Sequence, residues 1–180
     1  MNTKNIIITS FFATFICIFS VFSIPVGVIP VSLSLFAVFL TAIVLDLKKA
    51  VTSILIYILC GSIGIPVFSG FQGGLQVLFG PGGGYIIGYI FIAAIMGFIS
   101  DKTTHINYIK RYTILFISAF LSLAFCYTSG TLQYAFISKL SFGSAVKICV
   151  YPFVFFDFLK IFLAILSGEI LRKRITQKYL

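Results

Sequence analysis

The sequence predicts an all-α integral membrane protein with six transmembrane helices in one compact bundle, and three observations support this prediction. The 180 residues are 60% hydrophobic, with a mean hydropathy of +1.16. Only 9% of the residues are charged, against about 25% in soluble domains. Apolar runs approaching the ~20 residues needed to cross a bilayer recur along the chain. Residues 1–180 are therefore interpreted as a single six-span membrane domain.

The predicted spans follow one another along the chain with mostly short connections. In order, they are Ile6–Ile24, Val31–Leu47, Ala50–Gly61, Tyr85–Phe98, Tyr112–Tyr127 and Val150–Leu171. The connection after the third span is longer, and so is Gly130–Ile148, which is predicted to be a loop. Both are expected on the same side of the membrane as the Pro25–Pro30 turn, where together they could roof a cavity.

The basic residues are distributed unevenly between the two predicted sides. One side receives Lys4, Lys48, Lys49, Lys102, Lys110, Arg111, Arg172, Lys173, Arg174 and Lys178. The other side receives only Lys139 and Lys147, while Lys160 falls inside a span. Because positive loops stay in the cytoplasm, both termini are predicted to be cytoplasmic. Topology accounts for most of the net charge of +9, so no nucleic-acid partner is expected.

A glycine-rich stretch, GIPVFSGFQGGLQVLFGPGGGYIIGY at residues 64–89, interrupts this apolar chain. Eight of the fifteen glycines lie between Gly70 and Gly88, and no charged residue interrupts the stretch. Loop backbone cannot face lipid with unpaired N–H and C=O groups, so the stretch is expected to lie against protein. Glycine lets the backbone approach a ligand closely, which favours an outer loop over a substrate cavity. Turns and helix packing are the alternative explanation of these glycines.

No enzymatic motif accompanies this loop. The sequence contains no HExxH, CxxC or GxSxG pattern, and the glycine-rich stretch lacks the Gly-Lys-Ser/Thr ending of a nucleotide-binding loop. The lone histidine, His105, is interpreted as a solvated loop residue, and the four cysteines are interpreted as small apolar fillers. The chain is therefore predicted not to be an enzyme and to have no metal or cofactor, so any pumping would need an external energy source.

Two ionisable residues in the last predicted span are the main site candidates. Asp157 and Lys160 are three residues apart, hence on one face of a helix. Counted from Val150, they would lie about 10 and 15 Å along that helix. Ionisable groups inside a membrane are functional candidates because burying them is costly. They could form a ligand site for a small molecule with an amide-like group or a carboxylate, or an ion pair that only neutralises itself.

The neighbours of this pair extend the prediction along the same helix. At helical spacing the stripe consists of Phe153, Asp157, Lys160, Ala164 and Ser167, and it is expected to face the bundle interior. Glu169 lies beside Arg172 and Lys173 and is expected to be an interfacial charge.

Three stretches of the chain resemble the BioY family, the biotin-specific S components of energy-coupling-factor transporters. The first is YILCGSIGIPVFSGFQGGLQVLFGPGGGYIIGY, the second is YPFVFFDFLK, and the third is IPVSLSL at residues 29–35. In the first, the matching residues are Tyr57, Gly61, Gly64, Pro66, Val67, Phe68, Gly73, Gly74, Gly80, Pro81, Gly83, Gly84 and Tyr85. In the second, they are Pro152, Phe153, Asp157 and Lys160.

The resemblance implies six spans, a bacterial cell-membrane location and capture of biotin from outside. It implies that Asp157 and Lys160 contact the vitamin and that the loop contributes to the site. The loop candidates are Phe68, Gln72, Gly73, Gly74, Gln76 and Tyr85. The implied partners are a transmembrane (T) component and a pair of cytoplasmic ATPases, because this chain has no ATPase motif. Another small vitamin or carboxylate, or a non-transport protein with a structural Asp–Lys pair, is the alternative.

The chain departs from the family pattern at a few positions. Gly82 stands where the family usually has threonine, and Ser34 stands where glutamine is common. The small-residue surface that docks the T component is represented on the first helix only by Ala13 and Cys17. Close helix approach still fits that spacing.

Overall fold

A computed structural model describes residues 3–24 and 30–179, with side chains described as far as residue 174. The described chain is mostly helical. The helices are α1 (Thr3–Val21), α2 (Ser34–Val44), α3 (Leu47–Ser62), α4 (Leu75–Leu78), α5 (Gly83–Lys102), α6 (Tyr108–Ser138), α7 (Phe142–Cys149) and α8 (Val154–Tyr179). Two short strands, β1 (Ser23–Ile24) and β2 (Val31–Ser32), pair antiparallel between α1 and α2. The predicted Pro25–Pro30 turn falls mostly on residues 25–29, outside the described residues.

Helix α2 lies at the centre of the bundle. It packs against α1, α3, α5 and α8, and only Phe36 among its eleven residues is not fully buried. A helix that is apolar all round buries all of its faces, and the sequence SLFAVFLTAIV has no charged residue. The helix ends at Val44, because Leu45 has an extended backbone and Asp46 already caps the start of α3.

Helices α5 and α6 pack closely because glycines face the contact. A Cβ atom added at Gly84 would lie 2.4 Å from the carbonyl oxygen of Ser129. One added at Gly88 would lie 2.8 Å from the Cys126 sulfur. Both distances are shorter than van der Waals contact, so a larger side chain would force the helices apart. Two glycines of the predicted loop region thus serve helix packing.

The prediction that Gly130–Ile148 is a loop is wrong. Helix α6 continues to Ser138, eleven residues beyond the predicted end of the fifth span, and α7 occupies most of the remainder. The polar run after Tyr127 looks like a loop in sequence. In the structure its side chains bind neighbouring backbone instead: Ser129 donates to the carbonyl oxygen of Gly84 at 2.9 Å.

The last long helix begins at Val154, four residues later than predicted. Residues 151–153 form turns, and α7 meets α8 at a 59° bend. Pro152 lies in this turn, where its missing N–H breaks no helical hydrogen bond. Lys160 is therefore about 9 Å from the start of α8 at 1.5 Å per residue, not the 15 Å counted from Val150.

Several of these helices are suited to a membrane. By length and hydropathy, α1, α5 and α6 could each cross one, and the bent pair α7–α8 could form a fourth crossing. Helix α2 is apolar but shorter. The prediction of six spans remains a prediction, since α2 and α3 are below the usual length for crossing a bilayer.

Candidate functional site

One cavity, called here the main cavity, lies between the β1–β2 ribbon, α3, α5 and residues 68–82. Its volume is about 590 Å³, within the range of small-molecule sites. Its lining residues are Ser20, Pro30, Ser32, Ser34, Tyr57, Phe68, Ser69, Gln72, Gly73, Gln76, Val77, Gly80, Pro81, Gly82, Tyr85, Ile86 and Tyr89.

The glycine-rich segment is held against the bundle by hydrogen bonds. The backbones of Phe68 and Gln72 exchange two hydrogen bonds, of 2.9 and 3.3 Å. The N–H of Gly74 donates to the carbonyl oxygen of Gly61 at 2.6 Å, with a φ of +97° that favours glycine. From α6, the Gln133 amide donates to two carbonyl oxygens of the segment at 2.7 Å each. The segment therefore has a defined position beside the main cavity.

The loop residues predicted as site candidates are placed differently from one another. Phe68, Gln72, Gly73 and Gln76 line the main cavity, but Gly74 does not. The Phe68 ring is fully buried and lies where a Cβ of Gly61 would otherwise be. Both glutamines are exposed, and the Gln76 amide donates to the carbonyl oxygen of Gly73 at 2.7 Å.

A second, smaller cavity adjoins the main one and is called here the side cavity. Its volume is about 60 Å³. Its walls include Asp157 and Lys160, and it shares Pro30, Ser32, Tyr85 and Tyr89 with the main cavity. The predicted loop candidates and the predicted ion pair thus face two adjoining spaces, with Tyr85 bordering both.

Asp157 and Lys160 form a buried ion pair with unused hydrogen-bonding capacity. Lys160 Nζ lies 2.8 Å from Asp157 Oδ1, and the Tyr127 hydroxyl donates to Asp157 Oδ2 at 2.6 Å. Asp157 is 6% exposed and Lys160 is 9% exposed. A carboxylate can accept about four hydrogen bonds and an ammonium can donate three. Among the described residues, Asp157 accepts two hydrogen bonds and Lys160 donates one. Asp157 can therefore still accept, and Lys160 can still donate, beside the side cavity.

The sequence analysis missed a set of hydroxyl groups between the helices. Ser20 and Tyr57 share a hydrogen bond of 2.6 Å, as do Ser34 and Tyr89. All four of these residues line the main cavity. The signal that could have found Tyr89 is its spacing of four residues from Tyr85, which puts both rings on one face of α5.

The predicted stripe along the last span, which begins one residue before α8, is buried at four of its five positions. Phe153, Asp157, Lys160 and Ala164 are buried, whereas Ser167 is only half-buried. Gly168 takes the inward position instead, where an added Cβ would lie 2.9 Å from the Ile43 side chain.

The prediction that Glu169 is an interfacial charge is wrong, and so is the placement of Arg111 in a loop. Glu169 is 2% exposed and Arg111 is 5% exposed. The guanidinium group of Arg111 binds both carboxylate oxygens of Glu169, at 2.7 and 2.8 Å. Its remaining N–H donors bind Ser100 and Thr103. This second pair lies far along α8 from Asp157.

The described residues contain no group of three or more His, Cys, Asp or Glu side chains that could hold a metal ion. The side chains that line the two cavities offer hydrogen-bonding and charged groups. Neutral serine, tyrosine and glutamine groups line the main cavity, and the ion pair lines the side cavity.

Comparison with known families gives a match along nearly the whole chain. The model of the BioY family matches residues 1–177. The Biotin transporter BioY of Thermotoga maritima is 33% identical over 170 residues, covering 94% of this chain and 96% of that protein. Biotin transporter BioY2 of Lactococcus lactis is 35% identical over 183 residues, covering 99% and 97%.

A solved structure also matches the fold. It is the crystal structure of the S-component for biotin from an ECF-type ABC transporter, with a TM-score of 0.84 and 26% sequence identity. The match covers 94% of this chain and 91% of that one. The helical arrangement described above is therefore the fold of that S-component.

Proposed function

The chain belongs to the BioY family, and from that premise we propose that it is the biotin-capturing membrane subunit of an energy-coupling-factor transporter. It binds biotin from outside with high affinity. A T component and a pair of cytoplasmic ATPases then supply the energy for release into the cell. Relatives described as biotin transporters, and the likeness to the S-component for biotin, support this proposal.

The Asp157–Lys160 pair is the observation that carries the proposal. It is buried, it borders the side cavity and it retains hydrogen-bonding capacity. A ureido group presents N–H donors next to a carbonyl acceptor. Asp157 can accept from such an N–H while Lys160 donates to the carbonyl oxygen, so a neutral ureido ring complements both charges without adding another. The main cavity then receives the rest of the molecule.

Calorimetric titration of biotin tests this proposal. The chain is purified in detergent from cells grown without biotin, beside Asp157→Asn and Lys160→Ala. We expect tight binding by the parent and a roughly 100-fold or greater loss in each variant, because truncating one partner of a buried, hydrogen-bonded charge pair leaves the other unmatched. Folded, ligand-free protein that gives no heat with biotin would refute the biotin assignment and leave another vitamin, a carboxylate or a structural pair.

The chain offers a matched control for these variants. Asp46 and Lys49 form another i,i+3 ion pair, at 2.9 Å, but Asp46 is exposed and neither residue lines a described cavity. Asp46→Asn and Lys49→Ala repeat the same chemical changes there. We expect both controls to bind biotin like the parent. A loss of affinity in the controls equal to that in the test variants would show a general effect of charge removal.

Dependence on partner proteins needs a transport measurement. Labelled biotin uptake is compared in cells that make the chain alone and in cells that also make a T component and two ATPases. We expect binding in both cases and sustained uptake only with the partners, since the sequence carries no nucleotide-binding motif. Equal uptake by the chain alone would refute the dependence.

We further propose that both termini lie in the cytoplasm, and labelling of single cysteines tests this orientation. Single cysteines replace Lys147 and Arg174 in a chain from which the four native cysteines have been removed. A membrane-impermeant maleimide should label position 147 in intact cells and position 174 only after lysis, because positive flanks remain in the cytoplasm. The reverse pattern would overturn the orientation.

A further inference from the structure

A third cavity, called here the basic cavity, lies where the loop after α5, the start of α6 and the last turns of α8 meet. Its volume is about 190 Å³. Arg111, Arg172 and Lys173 are basic residues in its wall, and Glu169 is the acidic one. It shares no described wall residue with the main or the side cavity, and biotin capture makes no use of it.

The charges in the wall of the basic cavity do not cancel. Arg111 is paired with Glu169 at 2.7 Å, and Arg172 with Asp101 at 3.2 Å. The Lys173 ammonium lies 3.6 Å from the centre of the Tyr108 ring. Among the described residues, Lys173 has no carboxylate partner, so one positive charge at this cavity is unbalanced.

The acidic side chains of the sequence are all engaged elsewhere. There are four of them, and they are Asp46, Asp101, Asp157 and Glu169. Each forms an ion pair with a basic residue other than Lys173. A counter-ion for Lys173 therefore has to be supplied by something other than these side chains.

The hydrogen-bond donors that remain in the wall suit a phosphate group. The terminal nitrogens of Arg172 donate four described hydrogen bonds. A guanidinium group has five N–H donors, so the Nε–H of Arg172 is left without a described partner. The ammonium of Lys173 contacts only the face of a ring and keeps its N–H donors. Lysine binds phosphate as a point charge, and arginine donates to phosphate oxygens.

The surroundings of the basic cavity favour a lipid over an anion from solution. Ile106 in the wall is 40% exposed, and Ile109, one residue after Tyr108, is 76% exposed. Tyrosine is enriched where a membrane meets water. In the proposed orientation this cavity lies at the cytoplasmic face, where anionic lipids attract basic residues and basic pockets between helices bind lipid head groups.

We propose that the basic cavity binds the phosphate group of an anionic membrane lipid. Lys173 is the cationic contact, and the acyl chains lie along the exposed side chains of Ile106 and Ile109. The assignment to the cytoplasmic leaflet rests on the proposed orientation, whereas the binding itself does not depend on biotin. The lipid would tie the end of α8 to the membrane surface.

Native mass spectrometry of the full chain in neutral detergent tests this proposal. The probes are dioleoylphosphatidylglycerol, which is anionic, and dioleoylphosphatidylcholine, which has the same acyl chains and no net charge. We expect the parent to prefer the anionic lipid and Lys173→Gln to lower that preference about fivefold, as expected for one lysine at an anionic lipid. Lys173 is exposed, so the unfolding midpoint without lipid should not change.

Lys102→Gln is the matched control for this measurement. Lys102 is also exposed, its ammonium lies 5.8 Å from the centre of the Phe98 ring, and it lines no described cavity. We expect it to keep the preference of the parent. An equal loss in both variants would show a general effect of net charge and overturn the site.

Two further outcomes of the same measurement would contradict the proposal. A parent chain that binds both lipids equally would overturn the lipid site and leave the biotin proposal untouched, since no biotin is present. We expect excess inorganic phosphate to leave the bound lipid in place. Displacement of the lipid by phosphate would assign the basic cavity to a solution anion instead.

Fluorescence in vesicles tests where the lipid binds. The sequence has no tryptophan, so Tyr108→Trp places a single fluorophore in the wall and keeps an aromatic face for Lys173. In phosphatidylcholine vesicles, we expect a small fraction of phosphatidylglycerol with brominated acyl chains to quench it more strongly than the same fraction of brominated phosphatidylcholine. Tyr151→Trp is the control, because Tyr151 is exposed at the other end of α8 and should be quenched equally by both. Equal quenching at position 108 would overturn the inference.

Discussion

Helix α8 carries two buried ion pairs, and their hydrogen bonding differs. Near its start, Lys160 donates one hydrogen bond to Asp157, and both border the side cavity. Further along, every N–H donor of Arg111 has an acceptor: both oxygens of Glu169, and atoms of Ser100 and Thr103. Among the described residues the first pair keeps open hydrogen-bonding positions, whereas the second is saturated.

The difference separates a binding role from a structural one. The saturated pair joins α6 to α8 and to the end of α5 through Ser100, so its bonds hold three helices together. The neighbouring Arg172 adds bonds to Ile43 and Asp101 at the same end of the bundle. Both pairs are buried, so burial alone does not distinguish them. They differ in how many of their hydrogen-bond donors and acceptors have a described partner. We therefore expect the saturated pair to govern stability and the incomplete pair to govern affinity.

Arg111→Met should give the largest loss of stability. It leaves Glu169 buried without a partner, which typically costs about 3–5 kcal/mol of unfolding free energy. The measurement is the unfolding midpoint in detergent. Biotin affinity of the folded fraction should stay near that of the parent, since Arg111 lines neither the main nor the side cavity.

The double variant Arg111→Met/Glu169→Leu is the control for this prediction. Replacing both charges by apolar groups should recover most of the lost stability, because no unpaired charge remains. A single variant as stable as the parent would contradict the structural role of the pair.

Lys160→Met should cost less stability than Arg111→Met, about 1–2 kcal/mol. Asp157 keeps the hydrogen bond from Tyr127 and borders a cavity that water can enter. Biotin binding should nevertheless be lost. Equal destabilisation by the two substitutions, measured by the same unfolding assay, would remove the distinction between the pairs.

Tyr127→Phe should weaken biotin binding by about tenfold. The substitution removes one of the two described donors to Asp157, and a hydrogen bond to a charged group contributes roughly 1.5–3 kcal/mol. Tyr112→Phe is the control on the same helix, because the described hydrogen bond of Tyr112 is with Tyr108 at the opposite end. Affinity loss in the control but not in Tyr127→Phe would contradict the prediction.

The smallest effect is expected at the exposed pair of Asp46 and Lys49. Removing either charge should change the unfolding free energy by less than about 1 kcal/mol, as is usual for solvent-exposed ion pairs. Chemical unfolding of Lys49→Ala beside Lys160→Met gives the comparison. A larger loss of unfolding free energy in Lys49→Ala than in Lys160→Met would show that burial does not determine how much each ion pair stabilises the fold.

Residue spacing and apolar run length in the sequence predicted the features that depend only on residues near one another in the chain. The i,i+3 spacing brings Asp157 and Lys160 together on any helix, and apolar run lengths locate α1 and α5 to within a few residues. The end of α6 was not predictable in this way. In the sequence its polar residues favour a loop. In the structure Gln133 binds the carbonyl oxygens of Leu78 and Gly80, which lie more than 50 residues away.

The sequence by itself determined a helical, apolar chain with an ion pair within one turn of its last helix, because composition and helical periodicity act over a few residues. Only the tertiary structure decided that Arg111 meets Glu169 across 58 residues and that the loop glutamines face a cavity adjoining Asp157. Such contacts depend on how α5, α6 and α8 pack around α2. Buried polar groups must find partners within that packing, whatever their separation along the chain.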